Sequence, residues 1–381
     1  MIHIPFPSQI TSFSQETGYS AQTLMLGFQR VWSQLTHVGL CELMRREVPC
    51  LLARAPIETW ANAALPLKTR KTLASDCPVK RLFLVTASTV PSAAFQDMLL
   101  PLLLPVRLTV RPAHNLVSLM QMLVDHLCRY APELGKRVCV CDVGHDEASL
   151  RQAILGHDAL NVSGSDETIR YYRSLIPSGS SMRVIAHGHR LSAAGVMQAD
   201  VPAMTDVDFE GLALDMSLWD GTGCLSPKVI FFQGDMADAV RFSERLVLAL
   251  DDVADRLPEC TPDMATLAEI HSALRMAMLE GATVIRAHRN HDAIVVFGPE
   301  ARFVPLLWPR TTAVYCVSSP VDAAMAFSPR GQAFAMRRMP DEAVMDKLSS
   351  AGFNYFCVFG AMQAPPVWWK HSGIGTLLPL Y

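Results

Sequence analysis

One cysteine stands in a setting that favours nucleophilic chemistry. Cys224 follows the small residues Gly221-Thr-Gly223, between a stretch of helical periodicity and a buried strand pattern at Val229–Phe232. Small residues let a ligand approach the backbone closely, and an ionised thiol is a strong nucleophile. A purely structural cysteine fits the same position, so the spacing by itself leaves both interpretations open.

A second segment has the features of an anion-binding turn. Ser163, Gly164 and Ser165 connect a strand pattern to a helix pattern that carries Asp166 and Glu167 in its first turn. Free backbone N–H groups and the helix dipole both favour a phosphate at such a helix start. The alternative is an ordinary strand-to-helix connection in which Ser165 caps the helix.

Two histidines are spaced like metal ligands. His187 and His189 would share one face of a strand, but no third ligand follows at a sensible spacing, so we expect no metal. A role for His189 as a base or orienting group near Cys224 is the stronger functional interpretation. A plain core or turn histidine remains the alternative.

Alternating strand and helix patterns must position these residues. Strands are predicted at Arg81–Thr86, Val106–Val110, Arg137–Asp142, Ala159–Val162 and Met182–Ala186, with helical patterns between them. Such alternation is typical of a doubly wound parallel sheet. The predicted fold class is therefore α/β, preceded by an N-terminal helix over Gln22 to Arg46.

The pattern starts again in the second half of the chain. A helical stretch from Phe209 to Trp219 leads into the glycine turn before Cys224, which places a domain boundary near Gly211. The last residues, 356–381, are dense in Gly, Pro and Trp, and we expect them to form a rigid strap that packs over a site or makes a subunit contact.

Composition excludes several classes of protein. The 381 residues are 50% hydrophobic with a net charge of −3, and the basic residues are scattered, which argues against nucleic acid as a partner. Ten cysteines occur without a C-x-x-C pair, so a zinc knuckle or redox dithiol is not expected. Neither a signal peptide nor a membrane span is visible, and we expect a soluble, cytoplasmic protein.

Several short motifs together resemble one protein family. They are Gly164-Ser-Asp-Glu-Thr168, Gly188-His-Arg190 with Ser192, Trp219-Asp220 before Gly223-Cys-Leu-Ser-Pro227, and Gly360-Ala-Met-Gln-Ala-Pro-Pro366 with Trp369, His371 and Gly373. In this order they resemble the acyl-CoA reductase branch of the aldehyde dehydrogenase superfamily, which includes the fatty acid reductase of bacterial luminescence. The resemblance runs from about Val85 to the C-terminus.

The resemblance implies two Rossmann-like lobes with parallel sheets and a reaction in the cleft between them. Residues 1–210 would bind the coenzyme, 211–355 would carry the nucleophile Cys224, and 356–381 would form the strap. Ser163, Gly164 and Ser165 would lie by NADPH or NADH. Arg111 occupies the place where the superfamily commonly has a lysine near the adenosine ribose. Its planar guanidinium would favour a 2′-phosphate and hence NADPH.

The resemblance also suggests the direction of the reaction. His189 stands close to where hydrolytic members place a glutamate base, and the segment has no glutamate. An aldehyde oxidiser must activate water, whereas a reductase must exclude it. Thr89 replaces an asparagine that donates to the oxyanion in relatives, a loss worth about 3 kcal/mol of barrier. Its hydroxyl would take over that role, together with the Cys224 backbone N–H.

The predicted function is therefore reduction of an acyl thioester, on coenzyme A or an acyl carrier protein, to an aldehyde through an acyl-Cys224 intermediate. An acyl-activating ligase is an expected partner, and a homo-oligomer is the expected assembly. Two rivals remain open. One is an NAD-dependent aldehyde oxidiser. The other is a noncatalytic member of the fold that binds a partner protein, and the presence of Thr89 in place of asparagine favours this second rival.

Overall fold

The computed structural model describes residues 8–53, 77–141, 143, 146–260 and 262–381. The chain divides into two compact units: unit 1 comprises Met1–His189 with Pro366–Tyr381, and unit 2 comprises Arg190–Pro365. This division lies upstream of the boundary near Gly211 that the sequence pattern suggests, because a strand at Leu191–Val196 already pairs within the second sheet. The C-terminal strap is shared between the two units.

Unit 1 contains a parallel sheet of five strands, sheet A. The strands are β1 (Arg81–Val85), β2 (Arg107–Arg111), β3 (Val138–Val140), β4 (Ala159–Ser163) and β5 (Arg183–His187). Their order is β3-β2-β1-β4-β5, and every neighbouring pair is parallel. The strand order reverses between β1 and β4, where open α/β sheets bind ligands beyond the carboxyl ends of their strands.

The helices of unit 1 precede and connect these strands. They are α1 (Ser14–Thr17), α2 (Ala21–Gln34), α3 (His37–Glu47), α4 (Pro49–Leu52), α5 (Pro91–Leu99), α6 (Val117–Tyr130), α7 (Pro132–Gly135), α8 (Glu147–Leu155) and α9 (Asp166–Ser174). The single N-terminal helix predicted over Gln22 to Arg46 is wrong. Thr36 starts a new helix, since its hydroxyl accepts a hydrogen bond from the Gly39 backbone N–H at 3.0 Å.

The core of unit 1 explains why sheet A forms. Phe83 and Val85 of β1 and Val162 of β4 are buried against α8 and α9, while Leu82 and Leu84 on the opposite face of β1 are also fully buried. Parallel strands covered on both faces read as continuous apolar runs. The Arg81-Leu-Phe-Leu-Val85 sequence has that character.

Unit 2 contains a seven-stranded sheet, sheet B. Its strands are β6 (Leu191–Val196), β7 (Pro227–Gln233), β8 (Thr283–Arg286), β9 (Ala293–Phe297), β10 (Thr311–Val317), β11 (Gly331–Met336) and β12 (Tyr355–Val358). The order is β12-β11-β6-β7-β10-β9-β8. The expectation of parallel sheets fails at one edge, where β8 is antiparallel to β9. A short connection joins these two strands, and only antiparallel neighbours can be joined that way.

The helices of unit 2 are α10 (Asp206–Ser217), α11 (Met236–Val253), α12 (Met264–Leu279), α13 (Pro320–Ala323) and α14 (Glu342–Ser350). Short 3₁₀ segments lie at Ser8–Phe13, Leu100–Leu103, His114–Leu116, Gln198–Ala203, Leu218–Gly221, Ala324–Phe327, His371–Gly373 and Leu378–Leu380. Among the described residues, no helix is long and apolar enough to cross a membrane.

Aromatic side chains hold sheet B together. Phe231 of β7, Tyr315 of β10 and Phe334 of β11 are buried in one cluster with Phe327 and Phe353. Burying each such ring contributes about 1.5–3 kcal/mol. The central strands β6, β7 and β10, which carry or adjoin the cysteine turn, therefore belong to the most firmly packed part of unit 2.

Candidate active site

Cys224 follows a backbone turn of unusual geometry in unit 2. Trp219, Asp220 and Gly221 have φ angles of 57°, 50° and 64°, so three consecutive residues are in the left-handed region. Gly221 must be glycine, because a Cβ atom there would lie 2.7 Å from the Met216 carbonyl oxygen. The turn ends helix α10 and leaves Cys224 half-buried just before β7.

Local hydrogen bonds define the path from this turn to the strand. Thr222 donates to the carbonyl oxygen of Trp219 twice, from its backbone N–H at 2.9 Å and from its hydroxyl at 2.7 Å. The Ser226 N–H donates to the Gly223 carbonyl oxygen at 3.0 Å. Cys224 therefore lies inside a short segment that is closed on both sides. We call residues 218–226 the cysteine loop.

Ser192 of β6 attaches the cysteine loop to sheet B. Its hydroxyl donates to the carbonyl oxygen of Cys224 at 2.6 Å and accepts from the Ala333 N–H of β11 at 3.1 Å. Ser192 is fully buried. A satisfied buried hydroxyl of this kind orients the backbone that it bonds.

The C-terminal motif attaches the other end of the loop. The Gln363 side-chain amide donates to the Ser226 hydroxyl at 2.9 Å and to the Asp215 carbonyl oxygen at 3.2 Å. The Asp215 carboxylate accepts from the Gly360 N–H at 2.6 Å and the Met362 N–H at 3.1 Å. The part of the strap that belongs to unit 2 thus supports the segment that carries the cysteine.

A buried lysine lies on the strand that follows the loop. Lys228 is 7% exposed, and its ammonium donates to the Trp308 carbonyl oxygen at 3.4 Å. Burial lowers the pKa of Lys228 to about 8. Sequence reasoning did not single it out, because a lysine at the start of a strand is normally exposed.

The carboxyl edge of sheet A in unit 1 carries the predicted coenzyme residues. Arg111 ends β2 and donates to the Tyr172 hydroxyl of α9 at 2.8 Å. Its Nε atom and the Ser163 hydroxyl at the end of β4 are buried without a hydrogen-bond partner among the described residues. Such groups are costly unless something pairs with them. These two donors fit a polar ligand that carries oxygen acceptors. A nucleotide coenzyme is such a ligand.

The turn after β4 has the capping geometry that the sequence predicted. The Ser165 hydroxyl accepts from the Thr168 N–H at 3.1 Å and so caps α9. Gly164 packs against the same residue, since a Cβ atom at Gly164 would lie 3.0 Å from the Thr168 methyl group. The cap and an anion at the helix start are compatible, because the cap uses only one of the free N–H groups.

The two histidines do not form a metal pair. His187 ends β5 and stacks on His371 with ring centroids 4.4 Å apart, whereas His189 is exposed beyond the strand, where its backbone N–H donates to the Asp166 carboxylate at 3.2 Å. They therefore do not share the face of a strand. In the part of the chain that the structure describes, no group of three His, Cys, Asp or Glu side chains could hold a metal ion.

Thr89 lies in the loop that follows β1, the strand next to the point where the order of sheet A reverses. Its side chain is exposed, and its carbonyl oxygen accepts from the Tyr19 hydroxyl at 2.7 Å. The tyrosine thus fixes the backbone at Thr89, and the threonine side chain is exposed.

Comparison with solved structures identifies the fold. An NAD-dependent aldehyde dehydrogenase from Sinorhizobium meliloti is similar at 14% identity and a TM-score of 0.60, over 92% of this chain and 71% of that one. A benzaldehyde dehydrogenase from Corynebacterium glutamicum has 12% identity and a TM-score of 0.59, over 94% and 78%. A succinic semialdehyde dehydrogenase from Streptococcus pyogenes, solved with NADP⁺, has 14% identity and a TM-score of 0.58, over 92% of this chain and 82% of that one. The fold is that of the aldehyde dehydrogenases.

Comparison with protein families places the chain more narrowly. The model of the acyl-CoA reductase (LuxC) family matches residues 8–381. The chain belongs to this family, whose members are oxidoreductases acting on acyl groups, and the resemblance drawn from the motifs is confirmed. A search of the curated proteins finds no match.

Proposed function

We propose that this chain reduces an acyl thioester to an aldehyde with NADPH or NADH, through a thioester on Cys224. The observation that carries the proposal is the half-buried thiol of Cys224 in a loop hydrogen-bonded by Ser192 and Gln363, in a member of the acyl-CoA reductase family. A loop fixed in this way holds a nucleophile in one orientation, which lowers the entropic cost of attack.

The first half-reaction is acyl transfer. The Cys224 thiolate attacks the carbonyl carbon of the substrate thioester, a new C–S bond forms, and the bond to the carrier sulfur breaks. The carrier leaves as a thiolate and takes up a proton. We assign this proton transfer to His189, because histidine is the side chain that most often acts as a general acid or base.

The developing oxyanion needs hydrogen-bond donors. We assign the Cys224 backbone N–H and the Thr89 hydroxyl to it, in place of the amide that relatives use. Removing one such donor costs roughly a hundredfold to a thousandfold in kcat. Thr89→Val removes the hydroxyl at nearly constant shape and should lower kcat in that range, whereas Thr89→Ser should retain most activity. A Thr89→Val enzyme as fast as its parent would exclude this donor.

The second half-reaction releases the aldehyde. A bound nicotinamide coenzyme supplies the hydride that the acyl carbon of the Cys224 thioester accepts. The C–S bond then breaks, the aldehyde leaves and the thiolate returns. Arg111, Ser163, Gly164 and Ser165 would hold the coenzyme at the carboxyl edge of sheet A. The buried, unpaired Arg111 Nε and Ser163 hydroxyl support that assignment.

The substrate and its supply follow from this chemistry. A thioester of coenzyme A or of an acyl carrier protein presents the activated carbonyl, so an enzyme that activates carboxylic acids must precede this one. We propose such an acyl-activating ligase as the partner, a homo-oligomer as the assembly and the cytoplasm as the location.

The decisive test is intact-protein mass spectrometry after mixing with myristoyl-CoA, with and without NADPH. We expect an acyl adduct that disappears as aldehyde forms when NADPH is added. Cys224→Ala should form no adduct, whereas Cys260→Ala, which removes another half-buried thiol of unit 2, should behave as the parent. No adduct from any acyl thioester would exclude the mechanism, and steady NAD reduction with decanal would favour the oxidiser instead.

A further inference from the structure

Arg310 is a buried cation directly attached to the turn before Cys224. Its side chain is 1% exposed, and it lies immediately before β10 with a left-handed φ of 52°. Its guanidinium Nε donates to the Asp220 carboxylate at 2.9 Å, and its backbone N–H donates to the Asp220 carbonyl oxygen at 2.9 Å. One residue therefore binds both the side chain and the backbone of Asp220.

The remaining guanidinium donors anchor Arg310 to the rest of unit 2. One donates to the Leu257 carbonyl oxygen after α11 at 2.8 Å, and another reaches the Asp292 carboxylate before β9 at 3.4 Å. All three hydrogen-bonding directions of the fork are thereby occupied. A planar guanidinium held at all three of its nitrogen atoms has a single geometry, and it transmits that geometry to Asp220.

This attachment is more than general stabilisation requires. A buried ion pair contributes little net stability compared with apolar residues of the same volume, but it specifies one arrangement. Here the arrangement is a run of three left-handed residues, Trp219 to Gly221, two of which carry side chains. Such strained backbone persists only where its surroundings enforce it, and it clusters at functional sites.

We propose that Arg310 is a positioning residue for Cys224, which acts by locking Asp220 and so setting the path of the cysteine loop. The role rests on the proposed function of Cys224 as the nucleophile. Arg310 itself does not touch the reacting atoms in this proposal.

The contact between Arg310 and Asp220, which we call the lock, can be weakened by substitutions that keep the size or the charge of one side chain. Asp220→Asn keeps the size of the side chain and tolerates the left-handed backbone as well as aspartate does, but it removes the charge that pairs with Arg310. Arg310→Lys keeps the charge and loses the fork. Arg256→Gln is the matched control, because Arg256 makes an exposed ion pair with Glu210 in the same unit.

Three measurements separate positioning from stability. Hydrogen exchange should show that the Thr222 and Ser226 amides of Asp220→Asn and Arg310→Lys exchange at least tenfold faster, while the amides of β7 and β10 keep the parent rates. The rate of Cys224 acylation by myristoyl-CoA should fall about tenfold to a hundredfold, as expected for a misplaced nucleophile. Alkylation of Cys224 by iodoacetamide, which needs only exposure, should change less than threefold.

The outcomes are distinct. Unchanged exchange in both variants, or faster exchange spread evenly over sheet B, overturns the positioning role. So does acylation at the parent rate in a variant whose loop exchanges faster. A parent chain that is never acylated refutes the proposed function, but local loss of protection in the variants would still support the lock.

Discussion

Ser192 donates a 2.6 Å hydrogen bond to the carbonyl oxygen of Cys224, across 32 residues of chain. The same hydroxyl accepts from the backbone N–H of Ala333, so a single oxygen joins the cysteine loop, β6 and β11. The segment that carries Cys224 is therefore attached to two neighbouring strands of sheet B.

Ser192→Ala should lower stability and acylation together. The change removes the acceptor of the buried Ala333 N–H and one donor to the Cys224 carbonyl oxygen, which costs about 1–3 kcal/mol. We expect the free energy of unfolding to fall by that amount in a urea titration, and the Cys224 acylation rate to fall with it. Ser243→Ala is the control, because that buried hydroxyl has no hydrogen-bond partner among the described residues. Equal behaviour of the two variants would contradict the role of Ser192.

Tyr172→Phe should weaken coenzyme binding rather than chemistry. The tyrosine hydroxyl accepts from Arg111 at 2.8 Å, and its loss frees the guanidinium that we assign to the coenzyme. A lost hydrogen bond to a charged group is worth about 1.5–3 kcal/mol, so the Kd of NADPH should rise roughly tenfold or more while kcat changes little. Calorimetric titration measures the Kd. Tyr171→Phe changes the exposed neighbouring ring and should bind NADPH like the parent. A Kd for Tyr172→Phe equal to that of the parent would argue against Arg111 as the coenzyme contact.

Asp292→Asn should remove a component of the pH dependence of stability. The pKa of Asp292 is raised to about 6, mainly by burial and also by the nearby Glu259 and Asp220 carboxylates, while the positive charge of Arg310 opposes the shift. Between about pH 4 and pH 6 the folded state therefore binds more protons than the unfolded state, and stability falls as pH rises. The shift corresponds to a loss of about 3 kcal/mol over this window. The asparagine variant should lack that loss.

The measurement is thermal unfolding from pH 3 to pH 7 on parent and variants. Asp263→Asn is the control of opposite sign, since hydrogen bonds from the Thr266 backbone and side chain lower the pKa of the Asp263 carboxyl. That group stabilises the protein only above its unfolded pKa and loses this contribution as pH falls. If the stability of Asp292→Asn changed with pH in parallel with that of the parent, Asp292 would not titrate between about pH 4 and pH 6.

Glu47→Gln should loosen the C-terminus. The buried Glu47 carboxylate at the end of α3 accepts from the backbone N–H groups of Thr376, Leu377 and Leu378 at 3.0, 2.6 and 3.0 Å. An amide has one acceptor oxygen, so at least one N–H loses its partner at a cost of about 2 kcal/mol. Limited proteolysis should release the C-terminal peptide sooner. Glu42→Gln, which changes a carboxylate of the same helix that pairs with Arg46 instead, should leave proteolysis unchanged. If the C-terminal peptide of Glu47→Gln were released no sooner than that of the parent, Glu47 would not hold the C-terminus.

Elements with strong local signals were predictable to the residue. The helices at Glu147–Leu155 and Met264–Leu279 begin immediately after Asp146 and Asp263, which cap them through side-chain hydrogen bonds that depend only on nearby sequence. The strand at Ala293–Phe297 is likewise an unbroken apolar run. Capping and runs of this kind act over a few residues, and so they are visible in the sequence.

Other elements have no local signal. Strand β6, Leu-Ser-Ala-Ala-Gly-Val, is small-residue sequence with low intrinsic preference for strands, and β11 is similar. Their small side chains fit the packing of sheet B, since a Cβ atom at Gly195 would lie 3.0 Å from the Phe334 ring. Such a constraint belongs to the packed sheet and not to the segment.

The candidate site divides in the same way. The sequence alone indicated the α/β fold and the family, singled out Cys224 after its glycine turn as a candidate, and offered Ser165 as a helix cap, because those depend on residue type and short spacing. Only the tertiary structure revealed Ser192, Gln363 and Arg310 as the supports of the cysteine loop. Gln363 bonds to Ser226 across 137 residues of chain, and Arg310 to Asp220 across 90. Partners so distant meet only when the sheet forms, and no pattern within either segment encodes the other.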